Sequence, residues 1–153
     1  MKQRATDKAK ELWNAGRALE AGRLLYERIP VELRPAWAAK ILALACNYIP
    51  AIPEVEAVLE ITSDPSRWPE AREAFSAVRK LTLRAKDPLY EAVLILAENV
   101  AKVIYNSSGH LPFFDHDSGW WIAQNLKDVI DRVNDTEFAL DAWSILSSEE
   151  FNA

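Results

Sequence analysis

The chain has 153 residues, half of them apolar, with six tryptophans, four glycines and a formal net charge of −5 at neutral pH. That length suits one compact domain with a sizeable core. The acidic total argues against non-specific nucleic-acid binding, because neutralising phosphates needs clustered cations. Few glycines with abundant Ala, Leu and Glu favour helix over sheet, so the expected fold is all-α, a single helical domain over residues 1–153.

The first stretch, "MKQRATDKAKELW", is polar and lacks the apolar core of a secretory signal. Helices are expected near residues 6–15 and 17–28, and then near 35–48, where "AWAAKILALACNYI" carries Lys40 and Asn47 and stops at Pro50. That run is too short and too interrupted to span a bilayer, and reads as a buried helix. Cys46, the one cysteine, sits inside it, which rules out an intrachain disulfide and argues against a reactive thiol. The expected location is the cytoplasm. On that reading the two N-x-[ST] matches, at Asn106 and Asn134, are accidental.

Further along, proline punctuates the chain where it would start helices. A proline at the first helical position is tolerated because that N–H has no intrahelical partner. Pro35, Pro53, Pro69 and Pro88 each precede a helix-forming run, predicting helices near 53–62, 69–86 and 88–105. "IPEVEAVLEI" and "DPLYEAVLIL" start almost alike, and Pro53 and Pro88 are 35 residues apart, the length of a two-helix repeat unit. Asp87 before Pro88 suits an N-cap. The 88–105 segment is apolar on nearly every side and belongs at the centre of a domain. Two last helices are expected near 119–133, with a single apolar stripe, and 136–147.

Gly16, Glu20, Ala21, Tyr26, Arg28 and Pro30 follow the order seen in the second helix of a tetratricopeptide repeat, and "GRALEAGRLLYERIP" resembles that element. Gly22 departs from the pattern, standing where a large apolar residue is usual. The preceding helix lacks the family's Trp and Gly spacing. The resemblance implies antiparallel helical hairpins, packed as a short superhelix of the tetratricopeptide or HEAT type or closed into an irregular bundle.

Charge is distributed unevenly. Residues 1–34 hold eight Lys/Arg against five Asp/Glu, residues 35–105 eight against nine, and residues 106–153 two against nine. The two ends should attract each other, or each should face a partner of opposite sign.

"GHLPFFDHDSGWW", residues 109–121, is the stretch that does not read as helix. It holds both histidines, and His110, Asp115, His116 and Asp117 form the ligand inventory of a mononuclear iron or zinc site. The histidines are six apart in a proline-containing loop and match no helical ligand pair such as H-E-x-x-H. A structural reading accounts for more letters: Asp117 or Ser118 capping the next helix, Asp115 and Asp117 at its positive end, and four aromatics anchoring the loop. Trp120 and Trp121 cannot both face inward, since successive helical residues turn by about 100°.

A second candidate is a basic face on the 69–86 helix, formed by Arg72, Arg79 and Lys86 with Trp68 at its start. Phe113, Phe114 and Trp120 form a further candidate contact patch in the loop. No nucleophile elbow, phosphate loop or dinucleotide fingerprint occurs. The sequence therefore points to a non-enzymatic protein-interaction module whose partner is another protein, with no cofactor, nucleic acid or membrane implied and no oligomeric state specified. The alternative is a metal-dependent enzyme or small-molecule binder centred on the 110–117 loop.

Overall fold

A computed structural model describes residues 5–109, 114–115 and 117–151. Among these residues the fold is all-α: eight helices and no strand. They are α1 (Ala5–Asn14), α2 (Ala18–Glu27), α3 (Arg34–Cys46), α4 (Pro53–Thr62), α5 (Ala71–Thr82), α6 (Pro88–Asn106), α7 (Ser118–Val133) and α8 (Thr136–Leu146), with short 3-10 turns at 31–33 and 65–70. No helix among the described residues is long and apolar enough to cross a membrane.

The local chemistry of the boundaries is simple. Gly16, at φ +81°, ends α1 in a conformation that disfavours any residue with a Cβ. Pro53 and Pro88 open α4 and α6. Asp87 caps α6, its carboxylate accepting the Tyr90 N–H at 2.9 Å. Asp135 caps α8 by accepting from the N–H groups of Glu137 and Phe138. Between them Asn134, left-handed at φ 55°, turns the chain out of α7.

Neighbour order in space departs from order along the chain. The helices follow one another as α1, α2, α7, α6, α5 and α4, with α3 laid against α6 and α4, and α8 resting on α3 and α7. α2 and α3, consecutive in the chain, meet through Tyr26, whose ring lies 5.8 Å from that of Trp37 and 4.3 Å from the Arg34 guanidinium.

α6 is the middle of the domain. Val93, Leu94, Leu96, Val100, Val103 and Ile104 point to different sides of it and are all buried, as its all-round apolar sequence requires. Burying each such side chain contributes about 1.5–3 kcal/mol. α3 presents Trp37, Ile41 and Leu42 to the same core, and the Trp37 indole N–H donates to the Leu146 carbonyl at 3.2 Å, joining α3 to the end of α8.

α2 and α7 cross at glycine. A Cβ on Gly22 would lie 2.5 Å from the Trp120 carbonyl oxygen and 2.8 Å from the Ala123 Cβ, and one on Gly119 would collide with the Tyr26 ring. The residue that departs from the tetratricopeptide pattern is thus the one that admits α7 against α2.

Candidate functional site

Among the described residues, Asn106 ties the loop between α6 and α7 to the end of α6. Asn106, the last residue of α6, donates its amide to the Phe114 carbonyl at 3.1 Å and accepts the Phe114 N–H at 3.4 Å, acting as a substitute strand. The Phe114 ring meets Phe75 and Tyr105 edge-on at 4.8 and 5.8 Å, and the Lys102 ammonium lies over Phe75 and Phe114. Phe114 is therefore a half-buried anchor.

The expected cap takes another form. The Asp117 side chain accepts no capping hydrogen bond. Its carbonyl takes the Trp120 N–H, while the Ser118 hydroxyl donates to the Asp115 carbonyl at 2.8 Å. The reason is geometric: Asp117 has helical dihedrals (φ −79°, ψ −1°), whereas a side-chain cap needs the extended backbone found at Asp87 and Asp135. Trp120 is half-buried beneath the Arg23 guanidinium, which lies 4.5 Å from the ring centroid, and Trp121 is the outward member, 42% exposed.

Of the metal-ligand set, His110 and His116 lie outside the described residues, as does Phe113. Asp115 and Asp117 are in the loop and at its junction with α7. Among the described residues no group of three or more His, Cys, Asp or Glu is placed to hold a metal ion.

The basic face is shorter than its sequence pattern. α5 runs from Ala71 to Thr82; Pro69 lies within the 3-10 turn before it, and the extended backbone at Asp87 precedes Pro88, as proline demands. Lys86 is consequently beyond the helix, in the turn to α6. Trp68 is buried, donating its indole N–H to the Thr62 carbonyl at 3.1 Å, and is not presented to a ligand. Arg72 is exposed near the start of α5.

The remaining cations fall into two groups. Arg67 is paired with Glu60 and Glu70. Arg79 reaches Glu98 of α6 at 3.3 Å. Glu98 is only 5% exposed, and its other oxygen accepts the Thr82 hydroxyl at 2.6 Å. Those two bonds fix the last turn of α5 to the central helix.

Just past that clamp stands Leu83, 72% exposed, with the exposed Lys80, Arg84 and Lys86 within three residues of it in the chain. None of these three cations forms an ion pair among the described residues. Leu83 was hidden in the sequence because "RKLTLRAK" reads as unbroken helix; the signal available was Leu81, which takes the inward position and leaves Leu83 on another side.

Two recesses border α7. One, of about 130 Å³ between α6 and α7, is bordered by Glu91, Asp128 and Arg132, with Asn125 at its base bonded to Asn99 at 2.6 Å. The other, of about 280 Å³, lies where α7 turns into α8; Ile130 and Ala139 line it with Asp131 and Asp135 at its border. Lys127, Asn134 and Thr136 complete the lining of the second, and Lys127 is paired with Asp131 at 3.0 Å. Tyr48, stacked on Phe138 at 4.3 Å, has its phenol pushed up by burial and by the carboxylates of Asp135, Asp141 and Glu137.

Cys46 is not part of either surface chemistry. Burial, helped by Glu56, lifts its thiol to about 11, so it is protonated at neutral pH. The described surface exposes Leu83 and Leu140 most among its large apolar side chains, with Val31, Leu33 and Trp121 less so.

Comparison with protein-family models, curated proteins and solved structures found no match to this chain. The fold defines it as an all-α protein.

Proposed function

We propose that the chain is a non-enzymatic, cytoplasmic protein-binding module that docks an acidic partner on the end of α5. The observation that carries this reading is Leu83, 72% exposed, with Lys80, Arg84 and Lys86, all exposed, within three residues of it in the chain and without an ion-pair partner among the described residues. A single exposed leucine is ordinary on a protein surface. One followed and preceded in the chain by three uncommitted cations, at a helix end clamped by Glu98, suits an apolar partner surface that carries carboxylates. A polyanion such as nucleic acid fits less well, because the chain as a whole carries −5 and would repel it.

The helix packing supports an irregular bundle closed around α6 over a stacked superhelix, because α2 packs along α7, almost a hundred residues later, and not only on its neighbours in the chain. The binding surface is then local, at one helix end, and not a long concave face.

Site-specific photo-cross-linking tests the proposal. A photoreactive residue in place of Leu83 is expected to yield a covalent adduct with another polypeptide in cells of the native host, while one in place of Glu20 gives none. Equal yields from both positions, or none from position 83, would overturn it.

A further inference from the structure

We propose that the recess between α6 and α7 binds a small zwitterion of the amino-acid class, its ammonium on Glu91 and Asp128 and its carboxylate on Arg132 and Asn125. The site is separate from the docking proposed for α5 and does not depend on it.

The recess is built by register. Asn99, two turns before the end of α6, bonds Asn125, two turns into α7, so the two helices run antiparallel. One stripe of α6, with Glu91, Ala92 and Ile95, therefore lies across from one stripe of α7, with Asn125, Asp128 and Arg132. Asn125 is only 6% exposed. Its side-chain oxygen accepts the Asn99 amide at 2.6 Å, while its own amide N–H groups have no partner among the described residues. A buried amide donor left over in this way is a group for an occupant of the recess to use.

The charges are uncommitted too. Asp128 accepts the Gln124 amide at 3.1 Å through one oxygen, and its other oxygen has no partner among the described residues. Arg132 folds back along α7 and donates one N–H to the Asp128 carbonyl at 3.0 Å, which brings the guanidinium a turn nearer Asn125 and leaves its other donors available. Two carboxylates and a guanidinium thus line one recess, yet no ion pair joins them among the described residues. Opposite charges that share a recess without touching suit an occupant that carries both signs. A bare cation would meet Arg132, and a bare anion would meet the two carboxylates.

Size narrows the class. The volume is about 130 Å³, close to the cavity of about 150 Å³ that holds benzene in another protein. An occupant of about six heavy atoms fits such a space, and Ala92 and Ile95 give a methyl-sized side chain an apolar wall. L-Alanine has that size and both charges.

Proton–nitrogen correlation NMR of the full chain during titration tests this. L-Alanine is the probe, and propionate and ethylamine are the same molecule without its ammonium or without its carboxylate. L-Alanine is expected to shift the Asn125 side-chain amide saturably, together with the backbone amides of Glu91 and Asp128. Propionate and ethylamine should each bind at least about tenfold more weakly. Arg132→Gln and Glu91→Gln, both at exposed positions, should each weaken L-alanine at least about tenfold. Arg132→Gln should not weaken ethylamine, and Glu91→Gln should not weaken propionate, a pattern that mere loss of packing does not produce. No saturable shift at the Asn125 amide with L-alanine overturns the site. Binding of propionate or ethylamine as tightly as L-alanine, or variants that bind L-alanine unchanged, overturns the zwitterion reading.

Discussion

At the scale of single residues, glycine and tryptophan carry the most decisive information. Gly22→Ala puts a methyl group into the Trp120 carbonyl and the Ala123 side chain, and backbone cannot yield as a flexible side chain does. It should cost about 1–3 kcal/mol, as overpacking typically does, and chemical denaturation will measure it. Trp121→Ala is expected to change stability by less than about 0.5 kcal/mol, because that ring faces solvent. Trp37→Ala should cost about 3–5 kcal/mol, for it is fully buried and loses its bond to Leu146 as well. Cys46 supplies a pH test. Its folded value of about 11 exceeds the ordinary 9.0, so the folded chain keeps a proton that the unfolded chain has shed. The stabilisation is complete below pH 9 and is lost as pH rises towards 11. Cys46→Ala should flatten stability over that window, and iodoacetamide should modify the native thiol slowly until the alkaline end of it.

At the scale of helices, proline and aspartate made the boundaries readable. Pro53 and Pro88 open α4 and α6 as their positions predicted, and α6 is central because its apolar residues leave no face for solvent. The loop before α7 was legible only in part. Its aromatic anchor appears at Phe114, but the cap passed from a side chain to a carbonyl, and Asn106 does the holding. Nothing local distinguishes an asparagine that clasps a loop eight residues later from one that faces water. Replacing Asp135 by alanine should cost about 0.5–2 kcal/mol, whereas Asp117→Ala should be nearly neutral. A thermal-melting comparison of the two decides between extended and helical cap geometry. The extent of α5 was over-read for a similar reason: Lys86 continues the seven-residue spacing of Arg72 and Arg79, yet the proline at 88 had already broken the helix before it.

At the scale of the whole molecule, the all-α class followed from composition, while the neighbour order did not. Hydrophobic periodicity shows which face of a helix is buried and is silent about what buries it. The small-residue face of α2, with Ala18, Ala21 and Gly22, looked like one half of a local repeat; its partner is α7, almost a hundred residues later. The exposure of Leu83, on which the proposed docking rests, was hidden by the same limit, since it depends on where the α5–α6 turn falls.

That distant partnership has a bearing on synthesis. A growing chain makes α1 and α2 first, yet their seat on α7 does not exist until residue 133 has emerged. Until then the first hairpin must wait with the face around Gly22 uncovered, and α6 lacks one of its flanks. Long-range closure of this kind delays the committed step of folding. A nascent chain halted before Ser118 should therefore be cut readily by protease in its first thirty residues, and one extended past α8 should resist. Protease pulse experiments on stalled ribosome complexes would show whether resistance comes in a single late step, with the first hairpin gaining protection only when α7 arrives.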